Sequence, residues 1–227
     1  MYEKIFDQEI QKEMDSFFIN NLSGYGKIET LRKGHVINQK NQDNIYIILE
    51  GEFNQIMYSK NGDEIIFFRM TAGDIFGETD FFDNSRTFVI YKAIKNAKVS
   101  ILNREILEAK LMEFPNMYNY FLKSIIRKQR MIMIELSNFK FNDSIGKLAD
   151  FLVRLYYTED ININFKNHIS IVLTHEEIAN RIGLNRTTVT NVLKIFKDRN
   201  LIEVKDRKLI IKDIQGLKNL TNIPLEE

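Results

Sequence analysis

Cysteine and tryptophan are absent from this 227-residue chain, and proline occurs only twice. Without cysteine there is no disulfide, no thiol redox switch and no cysteine-held iron–sulfur cluster. Histidine is scarce as well. His35, His168 and His175 are scattered over the expected N-terminal and C-terminal regions, whereas a catalytic metal wants clustered histidines and carboxylates. There is no nucleophile-and-base arrangement, phosphate-binding loop or dinucleotide fingerprint. The expectation is a protein that is not an enzyme, with a metal-holding β-roll enzyme as the remote alternative. No apolar run is long enough to span a bilayer, and the polar, acidic start does not read as a signal peptide. These features predict a cytoplasmic protein without a membrane partner.

A formal net charge of +1 hides an uneven distribution. Residues 1–137 hold 18 basic and 19 acidic side chains, so that part is nearly neutral. Between Arg181 and Lys212 nine basic residues face three acidic ones, a local balance of +6. A basic patch confined to one stretch is the electrostatic footprint of phosphate binding.

The same stretch carries a helix-turn-helix signature. Thr174-His175-Glu176-Glu177 reads as a capping box, in which threonine and glutamate satisfy reciprocal backbone donors at a helix start. The helix runs through Ile178, Ala179 and Ile182 to Gly183, which tolerates the left-handed conformation at a helix end. Leu184 plugs the turn and Asn185 caps a second helix. Ala179 has to be small where two helices cross at about 90–120°. On the second helix Val189, Val192, Leu193 and Phe196 form the buried side. Arg186, Thr187, Thr190, Asn191 and Lys194 fall opposite, and such side chains hydrogen-bond base edges and phosphates. Leu201–Lys205 and Lys208–Lys212, joined at Asp206-Arg207, read as the hairpin of a wing.

Upstream, residues 28–102 show short apolar runs divided by turn signals, among them Glu50-Gly51, Asn61-Gly62 and Gly73-Asp74. Asn-Gly between two such runs is a strong hairpin signal, and many short strands argue a barrel or a two-sheet roll. Strands are expected at 45–49, 53–59, 65–70, 87–93 and 97–102, with weaker ones within 161–173. Ile5, Ile10, Met14, Phe17 and Phe18 make an amphipathic helix at the start, and Arg104–Phe114 forms another. From Asn116 to Phe139 the pattern becomes one long helix. Tyr118, Leu122, Ile125, Gln129, Ile132, Leu136 and Phe139 alternate spacings of four and three, the repeat of a coiled-coil seam, which predicts a parallel homodimer. Met117, Phe121, Ile126 and Met133 suggest a second face turned to the roll. A further helix is expected over Ser144–Tyr157.

An N-terminal β-roll, a dimerising helix and a C-terminal winged helix-turn-helix resemble the Crp/Fnr family of bacterial transcription regulators. The resemblance covers nearly the whole chain, and its most specific marks are Gly73-Asp74-Ile75-Phe76-Gly77-Glu78 and Thr174–Leu193. It implies an α+β fold: a β-roll of the cyclic-nucleotide-binding-like, double-stranded β-helix type over 1–115, a dimerisation helix and hinge over 116–142, and a winged helix-turn-helix domain over 143–227. It also implies a homodimer on a double-stranded DNA operator, RNA polymerase as partner, and a small effector in the roll.

In the cyclic-AMP-binding branch, Gly-Glu holds the ribose and Arg-Ser/Thr the cyclic phosphate, which would assign those roles to Gly77, Glu78, Arg86 and Thr87. The segment between Glu78 and Arg86 is two residues shorter than in that branch. Phe88 replaces a small alanine and would crowd the nucleotide. Ile132 and Met133 stand where hydroxyls meet adenine. Apolar Ile132 and Met133 suit haem or an aromatic or fatty molecule instead, and His35 and Met70 are the candidate axial ligands on chemistry alone. A regulator without any ligand is the third alternative. For DNA, the resemblance places Arg186, Thr187, Thr190 and Asn191 at base edges and Thr174, Lys194, Arg207 and Lys208 at phosphates. The family's glutamate and second arginine are missing, so the operator should differ from the family's familiar sites.

Overall fold

The computed structural model describes residues 7–38, 43–62, 64–158, 170–171, 173–205 and 208–222. They divide into two compact units that meet at Gln129/Arg130, inside the long helix.

The first unit opens with helix α1 (Gln8–Ser16), which continues as a π-helical turn over Phe17–Leu22. Eight strands follow: β1 (Lys27–Leu31), β2 (Val36–Ile37), β3 (Asn44–Glu50), β4 (Phe53–Tyr58), β5 (Glu64–Met70), β6 (Ile75–Phe76), β7 (Ile90–Ala93) and β8 (Ala97–Asn103). They form two antiparallel four-stranded sheets in the orders β1-β8-β3-β6 and β2-β7-β4-β5, the expected roll. Alternation within β3 shows how one strand serves two layers, because successive side chains point to opposite faces. Ile45 and Ile47 join Met14, Phe18, Leu22, Leu107, Leu111 and Phe121 in a core that also seats the helices. Tyr46 instead stacks on Phe76 at 4.7 Å, and Phe76 stacks on Tyr91 at 4.2 Å with Phe53 at 5.3 Å. Aromatic rings therefore occupy the roll beside β6.

Helix α2 (Glu78–Asp83) interrupts the region after β6 and was not anticipated from the residue pattern. The expected strand at 87–93 is accordingly shorter, since β7 begins only at Ile90. Helix α3 (Arg104–Glu113) is capped by Asn103, whose side chain accepts the Ile106 N–H at 2.9 Å. The long helix α4 (Tyr118–Phe141) follows. Phe121 is buried in the roll core and Met117 packs against it, as expected of a second face. Met133 does not share that role and is 59% exposed.

The second unit holds α5 (Ser144–Thr158), β9 (Ser170–Ile171), α6 (His175–Ile182), α7 (Arg186–Asp198), β10 (Ile202–Lys205), β11 (Lys208–Ile211) and α8 (Ile214–Lys218). The strands pair antiparallel in the order β10-β11-β9. Of the weak strands expected within 161–173, β9 is described, whereas 161–169 and 172 lie outside the described residues. One core joins these elements through Leu148, Leu152, Ile178, Val189, Phe196, Leu209 and Leu217, all at most 7% exposed. Asn142 ties the end of α4 to the segment after α8: its amide donates to Asn138 Oδ1 and Thr221 Oγ1, and its oxygen accepts the Asn222 N–H at 2.7 Å.

Candidate DNA interface and effector pocket

The helix-turn-helix is built by three local devices read from the residues. Thr174 Oγ1 accepts the Glu177 N–H at 3.1 Å while Glu177 Oε2 accepts the Thr174 N–H at 2.7 Å, which completes the capping box. Gly183 ends α6 at φ 65°, a left-handed conformation that costs other residue types more. Asn185 Oδ1 then accepts the Thr188 N–H at 2.7 Å and caps α7. Ala179 is 2% exposed at the centre of the motif, and Leu184 packs on the same core.

On α7 the two faces separate as the pattern requires. Val189, Val192, Leu193 and Phe196 are buried, and Arg186, Thr187, Thr190, Asn191 and Lys194 are all exposed. In the wing, β10 pairs with β11 from Ile202↔Ile211 to Lys205↔Lys208, and Lys208 is exposed. Arg207, expected at a phosphate, lies outside the described residues. Thr174 is a poorer phosphate donor than its position suggests, because its hydroxyl proton goes to Glu177 Oε2 at 2.9 Å. One contact had no signal in the residue pattern. His175 Nδ1 lies 2.8 Å from Thr190 Oγ1, which also donates to the Arg186 carbonyl at 3.0 Å.

The roll cassette is arranged differently from the expectation. Gly77 takes φ 95° as it leads into α2, which is why glycine stands there. Glu78 is 2% exposed and pairs with Lys128 of α4 at 2.5 Å; the same ammonium donates to the Ile75 carbonyl at 2.7 Å. Asp80, also buried, accepts the Thr87 N–H at 3.0 Å. Thr87 Oγ1 is enclosed without a hydrogen-bond partner. Arg86 is exposed, and Phe88, expected to crowd a nucleotide, is 88% exposed and turned to solvent. A short loop after α2 carries both outward. Burial raises the Asp74 carboxyl above the usual range. The Tyr91 phenol is pushed well up, first by burial and then by the charges of Glu78 and Asp80. Ile132 and Met133 belong to the second unit and are 48% and 59% exposed.

The two candidate axial ligands sit in unlike surroundings. His35 is exposed on a turn, its N–H donating to the Arg32 carbonyl, whereas Met70 is 2% exposed opposite Phe53. Among the described residues no group of three or more His, Cys, Asp or Glu is arranged to hold a metal ion. None of their helices is long and apolar enough to cross a membrane. The seam on α4 is largely uncovered within the chain: Tyr118, Leu122, Gln129, Ile132, Leu136 and Phe139 are exposed, and Ile125 is half-buried.

Fold and interface together define a winged helix-turn-helix DNA-binding protein that carries a β-roll. Residues 28–114 match the model of the cyclic nucleotide-binding domain, and residues 146–220 match that of the Crp-like helix-turn-helix domain. The chain belongs to the Crp/Fnr family of transcription regulators, with an effector-binding domain followed by a DNA-binding domain.

Among its relatives is the CRP-like cAMP-activated global transcriptional regulator of Mycobacterium tuberculosis, 25% identical over 187 residues, which are 82% of this chain and 84% of that one. The cAMP-activated global transcriptional regulator CRP of Pasteurella multocida is 21% identical over 170 residues, covering 74% and 81%. Similar solved folds include a mutant of CooA from Carboxydothermus hydrogenoformans, with a TM-score of 0.75, 20% identity, and coverage of 88% and 89%. CprK complexed with OCPA has a TM-score of 0.73 at 16% identity, covering 89% and 93%.

Proposed function

We propose that this regulator acts as a cytoplasmic homodimer without enzymatic activity, joined along the α4 seam, and reads a near-palindromic operator with one α7 helix per half-site. The segregation of faces on α7 carries this reading. Arg186 stands in the first turn, where a recognition helix reaches base edges, and its guanidinium matches guanine O6 and N7. Thr187, Thr190 and Asn191 share that face. Lys194 and Lys208, with Arg207 in the wing, supply phosphate contacts that set register. RNA polymerase is the natural partner of such a protein at a promoter.

A cyclic nucleotide is a poor fit to the cassette as folded. Glu78 is already paired with Lys128, Asp80 occupies the Thr87 amide, and Arg86 is exposed. A cyclic phosphate would meet the Asp80 carboxylate instead of a cation, and like charges in a shielded site repel strongly. Within the cassette, the Thr87 hydroxyl is enclosed without a hydrogen-bond partner. We therefore favour an effector other than a cyclic nucleotide, or none. Haem has little support, since His35 and Met70 are not presented to a common cavity.

Selection of operators from random DNA tests the main reading. An inverted repeat whose enrichment depends on Arg186 supports it, and binding without sequence preference refutes it. An absorption spectrum and mass spectrometry of the protein as purified, followed by calorimetry with cyclic AMP and cyclic GMP, test the effector reading. Heat from either nucleotide would overturn it.

A further inference from the structure

Thr190 owns a single hydroxyl proton, and two acceptors compete for it. Its oxygen lies 3.0 Å from the Arg186 carbonyl one turn back and 2.8 Å from His175 Nδ1 on the preceding helix. If Nδ1 carries the imidazole proton, it donates to the threonine oxygen, and the hydroxyl proton goes to Arg186 O. If Nδ1 is bare, the hydroxyl donates to it. A threonine hydroxyl has one donor and two acceptor sites, so in both tautomers the proton is spent inside the protein and an unshared lone pair is left. The residue is nonetheless exposed, on the face that carries Arg186, Thr187 and Asn191.

We infer that Thr190 is an acceptor-only base reader whose hydroxyl is oriented by His175, so that it selects an amino-bearing base edge. Threonine is otherwise ambiguous in the major groove, since it can donate to a carbonyl or accept from an amino group. With its proton committed, it accepts from adenine N6 or cytosine N4 on the strand it approaches. It has nothing to give guanine O6 or N7, or thymine O4. His175 is thereby a positioning residue of the interface: it stands at the first position of α6 but acts on specificity through α7. This inference rests on the placement of α7 in the groove proposed above.

The test is a set of titrations on a selected operator with all four bases placed in turn at each half-site position. They compare the wild type with Thr190→Val, His175→Ala, His175→Asn and Arg186→Ala. Wild type should prefer adenine or cytosine at one position by roughly three- to ten-fold, the discrimination expected of one hydrogen bond. Thr190→Val should abolish the preference for an amino edge there and leave the other positions intact. His175→Ala leaves only the Arg186 carbonyl to hold the proton, a weaker constraint that should narrow the preference for amino over carbonyl edges. His175→Asn, which can donate from about the position of Nδ1, should restore it.

A wild-type preference for guanine or thymine at the Thr190-dependent position overturns the inference. So does a Thr190→Val variant that changes no position, or an unchanged preference in His175→Ala. If Arg186→Ala alters base preference while Thr190→Val does not, only this inference falls. If neither does, the placement of α7 falls with it.

Discussion

Arg186 and Lys194 share a helix face but should fail differently when truncated. Arg186→Ala should cost about 1–3 kcal/mol on the cognate operator and relax the requirement for one guanine. Lys194→Ala, two turns later, should weaken all sequences alike and reduce the salt slope by about one. Titrations at several salt concentrations on matched and mismatched DNA separate the two, and an intact specificity ratio in Arg186→Ala would remove it from the base-reading set. Asp74 offers a different test, of stability. Burial raises its carboxyl, so the folded state prefers the protonated form. Its favourable contribution is greatest below the ordinary aspartate range and is lost as pH rises through the raised value. Asp74→Asn keeps an acceptor for the Thr71 N–H and removes that loss. The variant should be more stable than wild type at neutral pH and lose the advantage in acid, as thermal melts from pH 3 to 8 would show; equal curves would contradict the assignment.

At the scale of elements, α4 does two jobs along its length. Its inner face buries Phe121 in the roll core and Ile134 in that of the second unit. Its outer seam leaves large apolar side chains such as Leu136, 67% exposed, and Phe139, 73% exposed, in water. Side chains of that size contribute about 1.5–3 kcal/mol each when buried, so a second helix bearing the same seam is a strong partner. Ile125→Lys with Ile132→Lys should yield monomers in sedimentation, with poor specific DNA binding; an unchanged dimer would place the interface elsewhere. The Lys128–Glu78 pair fastens α4 to the roll. Lys128→Met strands a buried carboxylate and should cost on the order of 3 kcal/mol in urea unfolding. Changing both residues to apolar ones should recover most of it. A single variant as stable as wild type would mean that Glu78 finds another partner or water.

For the whole molecule, the sequence pattern was informative wherever structure follows from short-range spacing. The capping box at Thr174, the cap at Asn185, the turn at Gly183 and the segregation of faces on α7 each depend on residues within four positions of one another. Strands β3, β4, β5 and β8 were legible for the same reason, through alternation and turn residues, whereas β1 and β2 were not singled out. What escaped was contact between distant segments. Helix α2 interrupts the apolar pattern, Lys128 looks like any solvated helical lysine until it meets Glu78 from 50 residues away, and His175 meets Thr190 only because two helices cross. These contacts shape the roll cassette and the exposed face of α7, and they support the proposal that the effector is not a cyclic nucleotide. Regulation should follow: operator binding should proceed without added cyclic AMP or cyclic GMP, and millimolar nucleotide should leave both affinity and melting temperature unchanged.

Two copies of the protein should present paired recognition helices to symmetric half-sites. A hydroxyl-radical footprint on the selected operator tests it most directly. A dimer of this kind should give two equivalent protected patches about 34–36 Å apart, one helical turn of DNA, and should lose both in the doubly lysine-substituted seam variant. A single protected patch, or two patches that survive disruption of the seam, would contradict it.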